Sequence, residues 1–249
     1  MRKSILLLAV LSLMVVLSSC QKSEEVTVTK YFQAMMHNDR DTMAAMAYEP
    51  KDIEYKSYEI LSIDEPVTKE LELPVLLKKL ADTEKGKKEQ VTKAMNKAEA
   101  LQDAQDELDE TRGGGKKAEL QNKIAKLQAE SDAETLKVRT MQLDINKLKK
   151  AIDGEKALIT LSTAMRDNLE MFSGETAFIK VTTKVTLMNN EVKNYIFLLR
   201  KDTLKLEGKQ QLGRLVIIKL MTAEEYEKSL KQKDEEENTP AVTTKEVQG

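Results

Sequence analysis

The chain has 249 residues, 33% of them charged and 4% aromatic, with 40 basic and 42 acidic side chains and a formal net charge of −2. That length fits one to two domains, and the balanced charge excludes the basic excess expected of a nucleic-acid binder. One Cys excludes an intramolecular disulfide and any Cys-based zinc cluster, and one His excludes multi-His metal sites. Aromatic side chains supply much of a core's buried area, so this low fraction implies that part of the chain is not globular.

The first residues read as an address. Arg2 and Lys3 form a short positive region, and Ile5 to Leu17 form an apolar run broken only by Ser12. The run is too short to span a membrane as a stable helix. It ends in Leu17-Ser18-Ser19-Cys20. This sequence resembles the lipobox of bacterial lipoproteins, where a signal peptidase cuts before a Cys that carries a diacylglyceryl group. The resemblance implies a signal peptide over 1–19 and an acylated Cys20 as the mature N-terminus. Each buried CH₂ contributes about 0.8 kcal/mol, so two or three chains anchor stably. In diderm bacteria an Asp after the Cys is the usual inner-membrane retention signal. Gln21 stands there instead, so the resemblance implies the outer membrane, facing the periplasm. Residues 20–25 leave only a short polar tether. Removing Arg2 and Lys3 leaves 38 basic and 42 acidic residues, a mature charge of −4.

Val26–Tyr48 is predicted helical. Val28, Phe32, Met35 and Met36 form one stripe, and Met43, Met46 and Ala47 another. Asn38-Asp39 marks the break, with Asp39 or Asp41 as the cap of the second helix. Ile53–Ile63 carries β-compatible residues, and Asp64-Glu65-Pro66 closes it.

No aromatic residue occurs between Tyr58 and Phe172, and no Pro from Val75 to Thr239. Such a stretch, rich in Ala, Leu, Lys, Glu and Gln, has the composition of a long helix or coiled coil. Spacings of four and three from Leu73 place Leu77, Leu80, Glu84, Lys87, Val91, Ala94, Ala98, Leu101, Gln105 and Leu108 on one seam. Glu84, Lys87 and Gln105 are its polar failures. Arg112-Gly113-Gly114-Gly115 interrupts the pattern, and a second register runs from Leu120 through Ile124, Leu127, Ser131, Glu134, Val138, Met141, Ile145 and Leu148 to Ile152. Heptads on both sides of a Gly-rich turn predict an antiparallel helical hairpin over 73–153, with Gly113, Gly114 and Gly115 as its turn. Folding there sets Leu108 beside Leu120, Leu101 beside Leu127, Ala98 opposite Ser131 and Leu77 beside Ile152. Arms of about 38 residues would reach roughly 57 Å. The polar seam residues face Met141 and Ile145, a local weakness open to a partner. The acidic outgoing tip and basic returning tip read as a solvated surface, with Lys97 and Glu130 able to pair across.

Asp153-Gly154 is a candidate end or bend of the second arm. Glu155–Leu169 is again helical, with Leu158, Leu161 and Met165 on one side. Glu175–Leu187 alternates, with Ile179, Val181, Val185 and Leu187 on one face. Asn189-Asn190 is a tight turn, Val192–Leu199 the return strand and Leu212–Leu220 a third strand. The segment 223–249 reads as a short helix and an acidic tail, and Lys231–Gly249, with Asp234 to Glu237 and Pro240, as disordered.

Two helices, a strand, an inserted hairpin and an antiparallel meander predict an α+β fold with a curved sheet, its two parts at 26–72 and 154–222. Tyr31-Phe32-Gln33-Ala34-Met35-Met36 followed by Asp39 resembles the opening helices of nuclear transport factor-like domains in bacterial lipoproteins. Gly213-Arg214-Leu215-Val216-Ile217 is similar to their closing strand, with Leu215 where a Trp is usual. The resemblance implies a curved sheet wrapped by helices, with a pocket or partner surface on its concave face. It implies no activity, since that fold carries enzymes and binding modules alike.

No paired carboxylates, nucleophile elbow, phosphate loop or metal spacing is present. His37 reads as a helix-end residue, Asp39 and Asp41 as caps, and Met35, Met36, Met43 and Met46 as core. Gly113–Gly115 lacks the Lys-Ser/Thr of a phosphate loop and lies between helices. A periplasmic efflux or secretion adaptor also presents a helical hairpin, but the flanks here lack the Gly half-motifs of its lipoyl-like domain. The expectation is a non-enzymatic, lipid-anchored interaction module without a cofactor. It would bind membrane lipid through Cys20 and a protein partner through the hairpin. A ligand-binding or enzymatic pocket in the α+β part is the alternative.

Overall fold

A computed structural model describes residues 22–238 of the chain. The chain divides into two units: one holds residues up to Glu70, Ala157–Asp167 and residues from Phe172 on, and the other holds Leu71–Lys156 with Asn168–Met171. The expected signal peptide, Cys20, Gln21 and the last eleven residues lie outside the described part.

The first unit is α+β. It opens with α1 (Ser23–Met36) and α2 (Arg40–Met46). α1 ends in a left-handed Asn38, with the Asp39 N–H donating to the Ala34 carbonyl at 2.8 Å and the Asn38 N–H to the Met35 carbonyl at 3.0 Å. This is a Schellman stop, and it hands the chain to the next cap. Asp39 then caps α2, accepting the Thr42 N–H at 3.0 Å and the Thr42 hydroxyl at 2.6 Å.

The sheet contains β1 (Tyr55–Ile63), β2 (Val67–Glu70), β3 (Ser173–Leu187), β4 (Val192–Leu206), β5 (Lys209–Leu212) and β6 (Val216–Thr222). Every ladder is antiparallel. β3 and β4 form the centre, β1 and β2 share the outer side of β3, and β6 and β5 share that of β4. Two short turns set the register. Asn190, at φ 67, closes β3 to β4, and Glu207-Gly208, both at positive φ, closes β4 to β5. Positive φ at both central residues matches the right-handed twist of the flanking strands. The return strand runs on to Leu206 rather than stopping at Leu199, because β5 pairs with its second half.

The inner face of the sheet carries Ile179, Val181 and Val185 of β3 and Tyr195, Phe197 and Leu199 of β4. α1 lies on it through Val28, Tyr31, Phe32 and Met35. Met36, expected in that stripe, is exposed, and Tyr31 takes its place in the core. Phe32 stacks on Tyr58 at 4.0 Å and meets Tyr55 and Phe197 edge-on at 5.0 and 5.3 Å. The Tyr31 hydroxyl donates to the Lys51 carbonyl and accepts the Lys51 N–H at 2.9 Å, and burial raises its pKa. Aromatic area and satisfied hydroxyls are thus concentrated in one layer.

α5 (Ala223–Asn238) follows β6 directly. The Thr222 N–H donates to the Glu225 carboxylate at 2.8 Å, and the Glu225 N–H to the Thr222 hydroxyl at 3.2 Å. This reciprocal capping box starts a helix that takes in Lys231–Asn238, the part of the tail expected to be disordered.

The second unit is the hairpin, α3 (Glu72–Glu110) and the first part of α4 (Gly114–Thr163), with a short 3₁₀ turn at Leu169–Met171 against the start of α3. α4 is one unbroken helix of 50 residues, so Asp153-Gly154 neither ends nor bends it. From Ala157 its residues belong to the first unit. There the buried side chains are Ile159, Ser162 and Thr163 rather than Leu158, Leu161 and Met165.

Candidate functional site

The returning arm buries or half-buries every seam residue from Leu120 to Ile152, as its spacing predicts. The outgoing arm departs from prediction at two places. Ala98 is exposed and Lys97 turns inward; Gln105 is exposed and Ala104 is buried. Spacings of three then four after Ala94 produce this face, where four then three had been expected. The physical reason lies in the Lys97 ammonium, which reaches Glu130 at 2.6 Å and lowers the Glu130 pKa. Ala104 then fills the seam position that Gln105 would have left polar.

The arms pair antiparallel. Lys149 meets Glu84 at 3.4 Å, and Lys116 and Lys123 meet Glu107 at 3.5 and 3.9 Å. Lys87 bonds Gln142, and Gln90 bonds Glu134. The exposed ion pairs among these contribute about 0–1 kcal/mol each, so they fix register more than stability. In the polar stretch of the seam a groove of about 500 Å³ opens between Glu84, Lys87, Val91, Gln142, Ile145 and Lys149. Gly86 lies beside it. A Cβ there would stand 3.1 Å from the Met141 methyl, so the absent side chain is what lets Met141 close the seam.

At the tip, Thr111, Arg112 and Gly113 make the connection, and Gly114 and Gly115 form the first turn of α4. None of Gly113, Gly114 and Gly115 has positive φ, and a Cβ on any of them would meet open space.

A second apolar row escaped the sequence reading. Ala129, Ala133, Leu136 and Leu143, with the polar Thr140 between the two leucines, follow spacings of four and three on the returning arm, and all are exposed. Leu136 is 64% exposed and Leu143 61%. They lie one heptad apart, on the side of α4 turned away from its own seam, where a two-helix coiled coil is ordinarily most polar. The 4-3 spacing was present in the sequence, but the stronger register beside it absorbed the pattern.

The first unit has its own polar cluster on the outer face of the sheet. Arg200 and Asp202, 3% and 0% exposed, pair at 2.9 Å, and Thr176 donates to Asp202 at 2.8 Å. The Asp202 N–H donates to the Ser162 hydroxyl at 3.1 Å, and that hydroxyl donates to the Arg214 carbonyl at 3.0 Å. Satisfied in this way, the cluster holds the end of α4 against the β5–β6 loop. On the inner face Tyr31, Phe32 and Phe197 are fully buried. His37 is an exposed helix C-cap, and Met35 and Met43 are core. Among the described residues no His, Cys, Asp and Glu group could hold a metal ion, and no helix is long and apolar enough to cross a membrane.

Comparison of the chain with protein-family models, with characterised proteins and with solved structures finds no match.

Proposed function

We propose that this chain is a lipid-anchored protein of a bacterial cell envelope, held through acylated Cys20 at the outer membrane and facing the periplasm. It acts as a non-enzymatic interaction or scaffold module through its helical hairpin. The observation that carries the reading is the second heptad row. A returning arm already paired along one face presents Leu136 and Leu143 on the other. An exposed apolar row at heptad spacing is what a further helix packs against. The polar section at Glu84 and Lys87, paired with Lys149 and Gln142 in place of apolar packing, leaves a groove in the seam and supports the same reading.

Site-specific photo-crosslinking in cells tests the hairpin. A photoreactive residue at position 136 or 143 is expected to give one adduct of the same size, and one at exposed Glu99 of the outgoing arm none. Absence of an adduct from 136 and 143, or equal adducts from all three positions, would reject the docking face. Membrane fractionation after a high-salt wash tests the anchor. Salt strips electrostatic attachment but leaves acyl chains inserted. Cys20→Ala behind a secretory signal that is cleaved without lipidation, put in place of residues 1–19, is expected to move the protein to the soluble fraction, and its retention in the washed membranes would count against lipidation.

A further inference from the structure

A groove of about 430 Å³ in the first unit is lined by Ser23 and Thr27 of α1, the apolar Val26, Met46 and Leu215, and three cations, Lys30, Lys201 and Arg214. No carboxylate lines it. In a chain with more acidic than basic residues, three cations around one concavity are a local reversal of charge. Among the described residues Lys30 and Lys201 have no ion-pair partner. Arg214 is held by two carbonyls, Nε donating to Leu161 at 3.2 Å and Nη2 to Ala45 at 2.8 Å. Those bonds fix the guanidinium without neutralising it. Glu24 and Glu25 share the first turn of α1 but not the groove. Glu24 accepts from Ser23, and helical spacing turns Glu25 about 200° from Ser23.

The groove's place in the chain says what it meets. Three peptide units separate Ser23 from Cys20, a span of at most about 11 Å. Resting on the reading of Cys20 as an acylated anchor, this puts the groove within reach of the lipid headgroups. Its chemistry suits a phospholipid: three cations for the phosphate, and an apolar floor of Val26, Met46 and Leu215 for the start of an acyl chain, while the Ser23 and Thr27 hydroxyls already donate to the Glu24 carboxylate and the Ser23 carbonyl. We propose that this groove takes the phosphate of an anionic phospholipid in the membrane that carries the chain. The lipid anchor would then have a second, headgroup-specific hold beside it. Two weak membrane attachments together bind far more firmly than either alone.

Vesicle sedimentation of the whole mature chain carrying Cys20→Ala tests this without any acyl chain. It is expected to bind phosphatidylcholine vesicles containing phosphatidylglycerol and to ignore phosphatidylcholine alone. Each cation near an anionic surface is worth about fivefold in partition, so Lys30→Gln with Lys201→Gln should lower binding about 25-fold. Among the described residues neither side chain has a hydrogen-bond or ion-pair partner, and circular dichroism checks that the variant is folded. Lys117→Gln with Lys126→Gln removes the same charge from the hairpin and should leave partition unchanged. No preference for phosphatidylglycerol, or equal loss from both pairs of substitutions, would overturn the proposal. Displacement by millimolar inorganic phosphate or glycerol phosphate would assign the groove to a soluble phosphate and overturn it as well. The anchor stands or fails separately, on the salt-washed fractionation of Cys20→Ala cells.

Discussion

At the scale of single residues, close approaches decide which positions tolerate change. A Cβ on Gly213 would stand 2.3 Å from the Ser162 hydroxyl oxygen and 2.8 Å from the Asp202 carbonyl oxygen, and the second of these is backbone. The Gly213 N–H also donates to that carbonyl at 2.7 Å, so the loop cannot retreat without losing the bond. Gly213→Ala should therefore cost about 2 kcal/mol or more, the scale of overpacking in a filled site. Denaturant unfolding measures it, and a loss within error of zero would show that the loop relaxes freely. Asp39 sets a different kind of dependence. Hydrogen bonds from Thr42 lower its carboxyl pKa below the ordinary value. A carboxylate with a depressed folded pKa stabilises above its unfolded pKa, and that stabilisation is lost as pH falls through the folded value. Amide exchange in α2 should accelerate as pH drops from about 5 to about 2, after correction for intrinsic rates. Asp39→Asn retains a capping oxygen without that titration and should show a flatter profile. Identical profiles in the two proteins would remove Asp39 as the cause. Neither residue was equally legible in the sequence. The cap is local, Asp39 acting three residues ahead on Thr42, whereas the constraint on Gly213 comes from Ser162, far back in the chain.

At the scale of elements, the same distinction separates what the sequence discloses from what it hides. The hairpin's returning register and the β3–β4 turn at Asn190 depend on near neighbours, and their spacing could be read directly. β2 and β5 could not. Both are short, exposed along their whole length, and carry no burial pattern, so only pairing with β3 and β4 makes them strands. Arg200 and Asp202 sit in a strand that also carries exposed or half-buried Lys193, Lys201 and Lys205, so nothing in the sequence marks them as buried, and their cluster draws on Thr176 and Ser162 from distant segments. α5 is the opposite case, since Thr222 and Glu225 spell a capping box that the acidic composition after it obscured. The hairpin tip adds a lesson about glycine. The run Gly113–Gly115 does locate the reversal, yet the reversal does not require glycine, because no φ there is positive. Gly114→Ala with Gly115→Ala should stabilise the hairpin by about 1–2 kcal/mol, through lower unfolded-state entropy and better helix propensity. Hydrogen exchange at the start of α4 would slow accordingly. Faster exchange would mean that the tip adopts backbone conformations that only glycine allows.

At the scale of the whole molecule, the low aromatic fraction is an average over two unlike units. The first has the inner-face aromatic core of α1, β1 and β4. The second has none, and is held by aliphatic seams, Ala104 and cross-arm polar pairs. Each unit carries buried apolar side chains of its own, which is what lets one be removed from the other. The end of α4 belongs with the α+β unit, since Ile159 and Ser162 are buried there and Ser162 bonds both Asp202 and Arg214. A hairpin deletion must therefore spare it. Removing Leu76–Ile152 leaves Ala157–Asp167 intact. The severed ends come from adjacent antiparallel helices, whose axes lie about 8–10 Å apart. A flexible linker of about four Gly and Ser residues spans that distance. The shortened chain is expected to unfold in one cooperative transition and to keep the near-ultraviolet signal of the Tyr31, Phe32, Tyr55 and Phe197 cluster. It should also keep the phosphatidylglycerol binding of the Lys30 and Lys201 groove. A chain that fails to fold, while the linker-free full protein is stable, would show that the α+β core depends on the hairpin and would reject the insertion. A folded chain that loses vesicle binding would place the lipid contact on the hairpin instead of on α1.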